Sequence, residues 1–223
     1  MIDPQQSHNP GTASQRPWDA RLARRLITPL KDTWVTPNHL TTVRLAVGLG
    51  AAAAFAMGTY GWSNVAALLL ILSNFLDHTD GELARISGKS SRIGHLYDLA
   101  SDAVVTILIF VAMGIGVAEH GRPALEFPPV ALGAVAGSAV ALIFYLRMRV
   151  EELAGKAATQ QASVAGFETE DILYIVPLVT LCNGIVPLLL SAAICAPLFA
   201  VWVTIDYRRV MRQERRLAAE VAG

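Results

Sequence analysis

The sequence predicts an all-α integral membrane protein with six transmembrane helices preceded by an N-terminal amphipathic helix in the membrane interface. Three observations carry that expectation. Of the 223 residues, 53% belong to the hydrophobic set and 16% are charged, with a mean hydropathy of +0.45, too apolar for an ordinary soluble domain of this size. The apolar residues fall in runs of helical length, not in the one-sided stripe of a soluble surface helix. The basic residues collect between those runs so that nearly all can share one side of a membrane.

Residues 1–15 (MIDPQQSHNPGTASQ) are polar, contain two prolines and lack the basic-then-apolar order of a secretory signal, so they read as a disordered tail. In the segment RPWDARLARRLITPLKDTW that follows, Trp18, Leu22, Leu26 and Ile27 fall on one side and Arg21, Arg24 and Arg25 largely on another. That is the pattern of a helix lying in the interface plane; Pro29 and the modest length favour the alternative, a solvated basic helix. The six apolar stretches are about 40–60, 62–84, 95–118, 127–147, 171–183 and 185–206, against the roughly 20 residues a helix needs to cross the hydrocarbon core. The fifth is short unless polar residues at its start lie inside the protein. Ile172 to Ile205 is a run of 34 residues, too long for one span, and Asn183-Gly184 is the natural place to turn it back.

With the N-terminus in the cytoplasm, Arg16, Arg21, Arg24, Arg25, Lys31 and Arg44 precede or begin the first span, and Arg85, Lys89 and Arg92 lie between the second and third. Arg147, Arg149 and Lys156 follow the fourth, and Arg208, Arg209, Arg212, Arg215 and Arg216 follow the sixth, leaving only Arg122 of the 18 Lys and Arg residues on the far side. This asymmetry supports an even span count with both termini cytoplasmic. One membrane domain over 16–210 is expected, between the 1–15 tail and a basic cytoplasmic tail over 211–223. The zero formal net charge is silent about nucleic acid, and no such partner is expected. Cys182 and Cys195 lie in apolar segments without metal-ligand spacing, which reads as two buried thiols, not a disulfide.

The chemistry concentrates at the junction of the second and third spans: Asp77-His-Thr-Asp80-Gly81-Glu-Leu-Ala84-Arg85, eight residues, then Gly94-His-Leu-Tyr-Asp98-Leu-Ala-Ser-Asp102. Spacings of three and four put each aspartate pair on one face of a helix, so two helices joined by a short loop can present four carboxylates to one volume. An aspartate at the membrane centre costs about 2.5–3.5 kcal/mol, and four together repel one another besides. A bound cation resolves both problems. Oxygen-only ligands favour Mg²⁺ or Mn²⁺, and a carboxylate quartet is able to hold two ions, as phosphoryl-transfer sites do. Arg85 offers a fork suited to phosphate oxygens, and Gly81 and Gly94 remove side chains where a nucleotide or a neighbouring helix must come close. A lone Asp pair or glycine at a helix end is ordinarily a cap or terminus; eight defined positions at these spacings are hard to assign that way.

These residues match without departure the D-x2-D-G-x2-A-R-x8-G-x3-D-x3-D signature, and the chain thereby resembles the CDP-alcohol phosphotransferases. Thr36-Pro37-Asn38 followed by Leu40-Thr41 is similar to the segment that opens the first helix in many members, and the resemblance covers about 16–210. It implies a transferase that passes a substituted phosphate from a CDP-linked donor to an alcohol acceptor and releases CMP, in phospholipid biosynthesis. It implies metal ligation by Asp77, Asp80 and Asp98, with Asp102 a ligand or neighbour that also acts as general base. Asp77, Gly81, Ala84 and Arg85 would line the CDP site, with Thr36 or Asn38 near the cytidine, and Arg85 would also serve the reaction directly.

The donor expected is CDP-diacylglycerol, because a lipid substrate explains an active site at the membrane surface; the alternative is a soluble CDP-alcohol with a lipid or polyol acceptor. Membrane lipids and a second copy of the chain in a homodimer complete the expected partners. His78 and His95 flank the aspartates and are expected to support the site or the interface and not to bind metal. Arg147 and Arg149 are candidates for an acceptor phosphate or for membrane-surface anchoring. Glu168, Glu170 and Asp171 face the site or begin a helix favourably. A cation-coupled transporter is the rival of another class, since intramembrane carboxylates also mark ion pathways, though such a path requires neither the arginine nor the two glycines. A catalytically dead scaffold is the third.

Overall fold

The computed structural model describes residues 24–89, 91–120, 127–154 and 175–222. Among them the regular structure is entirely helical: α1 (Pro37–Ala56), α2 (Tyr60–Ser87), α3 (Arg92–Glu119), α4 (Pro129–Ala154), α5 (Val176–Leu181) and α6 (Ile185–Ala222), with a 3₁₀ turn at Thr28–Leu30.

Local sequence sets the boundaries. Thr36 is extended and Pro37 takes the first helical position of α1, where its missing N–H is no loss, while the Thr36 N–H donates to His39 Nδ1 at 3.2 Å. Gly88 ends α2 with φ +66°, the left-handed conformation that glycine adopts without a Cβ penalty. Ser91 then caps α3, its Oγ accepting from the Gly94 N–H at 3.0 Å. Lys89 Nζ donates to the carbonyl of Thr33 at 2.6 Å, tying the α2–α3 connection to the chain before α1. Asn183 has φ +55° and the Gly184 N–H returns to Val179 O at 2.8 Å, so the turn falls where the sequence placed it.

α1 packs on α2 and α3, α4 on α3 and α6, and α5 on α2. Small residues let the backbones approach: a Cβ on Gly48 would stand 2.7 Å from a Val105 methyl, and one on Gly137 2.8 Å from the Ile107 Cα. Phe55, Met113 and Leu189 fill the space between Ala51, Ala66 and Ala112 in the main core. A second cluster joins Ile143 and Leu146 of α4 to Ala200 and Val203 of α6. Leu68, Leu72, Leu198 and Val201 point outward, as lipid-facing positions would.

Among the described residues, four helices are long and apolar enough to cross a membrane: 37–56, 92–119, 129–150 and 185–213. α2 has the length, with 28 residues, but it carries Asp77 and, in its last third, Asp80, Glu82 and Arg85. Of the expected fifth stretch only Val176–Leu181 is described as α-helix. α6 does not end at 206 but runs to Ala222 through Pro197, so the described part of the expected C-terminal tail is helical. Of the expected interfacial helix, residues 24–27 are helical and Thr28–Leu30 form the 3₁₀ turn; Ile27 is buried, whereas Leu26 and Trp34 are exposed. Residues 1–15, Arg16, Trp18, Arg21, Leu22, Arg122, Lys156, Glu168, Glu170 and Asp171 lie outside the described residues. The thiols are a correction: Cys182 and Cys195 are free but exposed on the isolated chain, not buried, because both stand on outward faces of α5–α6.

Candidate metal and phosphate site

The polar end of α2 and the first turns of α3 converge under the start of α1. One carboxylate oxygen each from Asp77, Asp98 and Asp102 lies within 4.8 Å of the others. Asp80 is not in that group. It is only 4% exposed, and its Oδ2 accepts a 2.8 Å hydrogen bond from Thr41 Oγ1 of α1, which orients the carboxylate.

A cation from this chain already stands among the three aspartates. Arg44, also on α1 and 2% exposed, donates from Nη1 to Asp77 Oδ1 and from Nη2 to Asp102 Oδ1 at 2.5 Å. Its Nη1 is 3.0 Å from Asp98 Oδ1, an ion pair without hydrogen-bond geometry, since that buried oxygen takes no hydrogen bond. One guanidinium against four carboxylates leaves a net negative site. With hard oxygen donors, a shared span of 4.8 Å and a buried Asp98 oxygen lacking a hydrogen bond, the residues fit a divalent cation.

Thr41 and Arg44 were missed as site residues, Arg44 being read only as one of the basic residues marking the cytoplasmic side. The available signal was their spacing of three, which puts both on one face of α1, and a permanent charge at the start of an apolar run.

The other motif residues sit close by in sequence on the same helices. Arg85 is 66% exposed and its Nη1 donates to Glu82 Oε1, one turn back on α2, so its fork is accessible. A Cβ on Gly81 would meet nothing nearer than Arg85 Nη2 at 3.6 Å, whereas one on Gly94 would stand 2.6 Å from Asn38 Oδ1. An alanine at Gly94 would therefore displace the exposed Asn38 side chain of α1, while Gly81 is confined by no described protein neighbour. Ala84 and Thr36 are half-buried and Asn38 is exposed. His78 Nδ1 is 3.0 Å from Asn74 O within α2, and His95 is exposed on the first turn of α3. Arg147 and Arg149 are half-buried near the C-terminal end of α4.

The chain is similar to known proteins over part of its length. The chain is 37% identical to cholinephosphotransferase 1 of Danio rerio over 90 residues, which is 37% of this chain and 23% of that protein. It is 32% identical to archaetidylinositol phosphate synthase of Pyrococcus horikoshii over 101 residues, 44% of this chain and 52% of that protein. The matched stretches thus span about a quarter to a half of those relatives. The crystal structure of Mycobacterium tuberculosis phosphatidylinositol phosphate synthase with CDP-DAG bound shares the fold, with a TM-score of 0.52 at 22% identity over 88% of this chain and 93% of that one. The profile of the CDP-alcohol phosphatidyltransferases matches residues 34–205, and the chain belongs to that family, a family of transferases.

Proposed function

We propose that the chain is a metal-dependent membrane enzyme of phospholipid biosynthesis that moves a phosphatidyl group from CDP-diacylglycerol to an alcohol acceptor and releases CMP. The observation that carries this reading is the convergence of Asp77, Asp98 and Asp102 next to Gly81, whose missing side chain no protein neighbour requires.

In this reading Asp77, Asp80 and Asp98 chiefly hold Mg²⁺ or Mn²⁺, with Asp102 beside them as a ligand or neighbour, a set able to carry two ions. The metal, when bound, neutralises the carboxylates and the charge on the diphosphate. The accessible fork of Arg85 takes diphosphate oxygens; Asp77, Gly81 and Ala84 line the CDP moiety, with Thr36 and Asn38 toward the cytidine. Asp102 accepts the proton of the acceptor hydroxyl. That oxygen bonds to the lipid-bearing phosphorus, the bond from this phosphorus to the bridging oxygen breaks, and CMP leaves with the electron pair. Arg147 and Arg149 are the candidates for an acceptor phosphate. Six spans, an interfacial N-terminal helix, a cytoplasmic active site and a homodimer belong to the same proposal.

The CDP-DAG held by the structural neighbour supports the lipid-linked donor. The similarity to a cholinephosphotransferase supports a second reading, in which a soluble CDP-alcohol donates to a lipid or polyol acceptor. Purified protein in detergent, given CDP-diacylglycerol, Mg²⁺ or Mn²⁺ and a panel including glycerol 3-phosphate and inositol phosphate, is expected to release CMP only when metal and one acceptor are both present. CMP release only from a soluble CDP-alcohol selects the second reading. Cation flux in proteoliposomes without CMP from any donor selects the transporter.

A further inference from the structure

We infer that Arg44 and the divalent cation compete for the same carboxylate oxygens, so that Arg44 sets the affinity of the site for metal. The inference rests on the metal reading above. A guanidinium stays protonated under all ordinary conditions, so Arg44 is a permanent positive charge that the fold has buried, at 2% exposure. It touches one oxygen from each of the three aspartates whose oxygens cluster: Asp77, Asp98 and Asp102. Those are the donors a metal needs, at about 2.0–2.1 Å for Mg²⁺. Two cations cannot share those oxygens at such distances without strong repulsion.

The contacts are unequal in a way that favours exchange. Asp98 Oδ1 is buried and near the guanidinium, yet receives no directed hydrogen bond, so a metal ion would give it a partner that Arg44 does not. The backbone of Arg44 is anchored, its carbonyl accepting from Ser73 Oγ at 3.2 Å. The side chain, not the helix, is therefore the part that yields. Its burial excludes service as a lipid-headgroup anchor.

The test is Mn²⁺ binding to the full-length, chelator-stripped protein in detergent, followed by electron paramagnetic resonance of free Mn²⁺ with neither donor nor acceptor present. Arg44→Gln is expected to bind Mn²⁺ at least about tenfold more tightly than wild type, the scale of losing one nearby like charge at a partly screened site. It should also melt at a lower temperature in chelator and gain more from Mn²⁺ than wild type does. Arg44→Lys, whose compact ammonium spans fewer of the three carboxylates, should bind with intermediate affinity; it carries the test if the Gln variant does not fold. Equal or weaker Mn²⁺ binding by both variants, with wild-type binding intact, overturns the proposal alone and makes Arg44 a scaffold for the ligands. No Mn²⁺ binding by wild type or by either variant overturns both the metal reading and the proposal.

Discussion

Asp102 differs from its two neighbours in the cluster by its exposure: its side chain is 45% accessible, against 36% for Asp77 and 32% for Asp98. A group that must meet an incoming hydroxyl needs that access, and a group that only holds metal does not. Asp102→Asn is therefore expected to bind the CDP donor and Mg²⁺ nearly normally in calorimetry while losing transfer by about 10²–10⁴-fold. Asp77→Asn should lose metal affinity and turnover together. If Asp102→Asn loses binding as severely as Asp77→Asn, Asp102 is a fourth ligand and not the base. Arg85 gives a second test at this scale. Its partner Glu82 is buried although Arg85 itself is exposed, and lysine keeps the positive charge that faces it, so Arg85→Lys should melt close to wild type. Its turnover should fall at least about tenfold, because an ammonium cannot reproduce a two-pronged phosphate contact. Near-wild-type CMP release would reduce Arg85 to an anchor.

At the scale of the helix, the two motif glycines separate into different causes although the sequence presents them alike. Gly94 faces Asn38 of α1 too closely for a methyl group, so Gly94→Ala must push that side chain aside, and Asn38→Ala should restore part of the lost stability. Gly81 has open space, and alanine is worth about 1 kcal/mol more than glycine inside a helix. Gly81→Ala should thus melt at or above the wild-type temperature while donor binding weakens; unchanged donor affinity would leave Gly81 without a function in the site. The sequence made the aspartates legible because each pair is local, three or four residues apart on one helix. Thr41 and Arg44 meet Asp80 and Asp77 across 39 and 33 residues, and no spacing rule encodes which face of α1 will cover α2. For the same reason the side-by-side placement of Asp77 with Asp98 and Asp102 was readable only as a possibility opened by a short loop.

At the scale of the whole chain, hydropathy identifies α1 and α3 although both carry site residues, and passes over α2. α2 is long enough to span, yet its polar last third removes it from the set defined by composition. Within that third Thr79, Asp80, Glu82 and Leu83 are buried against the protein, which is how a spanning helix would tolerate such residues. If α2 and α3 both cross, the loop between them and the N-terminal segment must lie on one side, as the hydrogen bond from Lys89 Nζ to Thr33 O requires of the segments it joins. We propose that this side is the cytoplasm, from the distribution of the basic residues. Arg92, exposed at the start of α3, provides the reporter, provided that the exposed thiols of Cys182 and Cys195 are first replaced by serine. In that background Arg92→Cys is expected to resist a membrane-impermeant maleimide applied to intact cells, and to react in inverted vesicles. Labelling from the outside of intact cells would reverse the orientation, and with it the side from which CDP donor and acceptor must approach the aspartates.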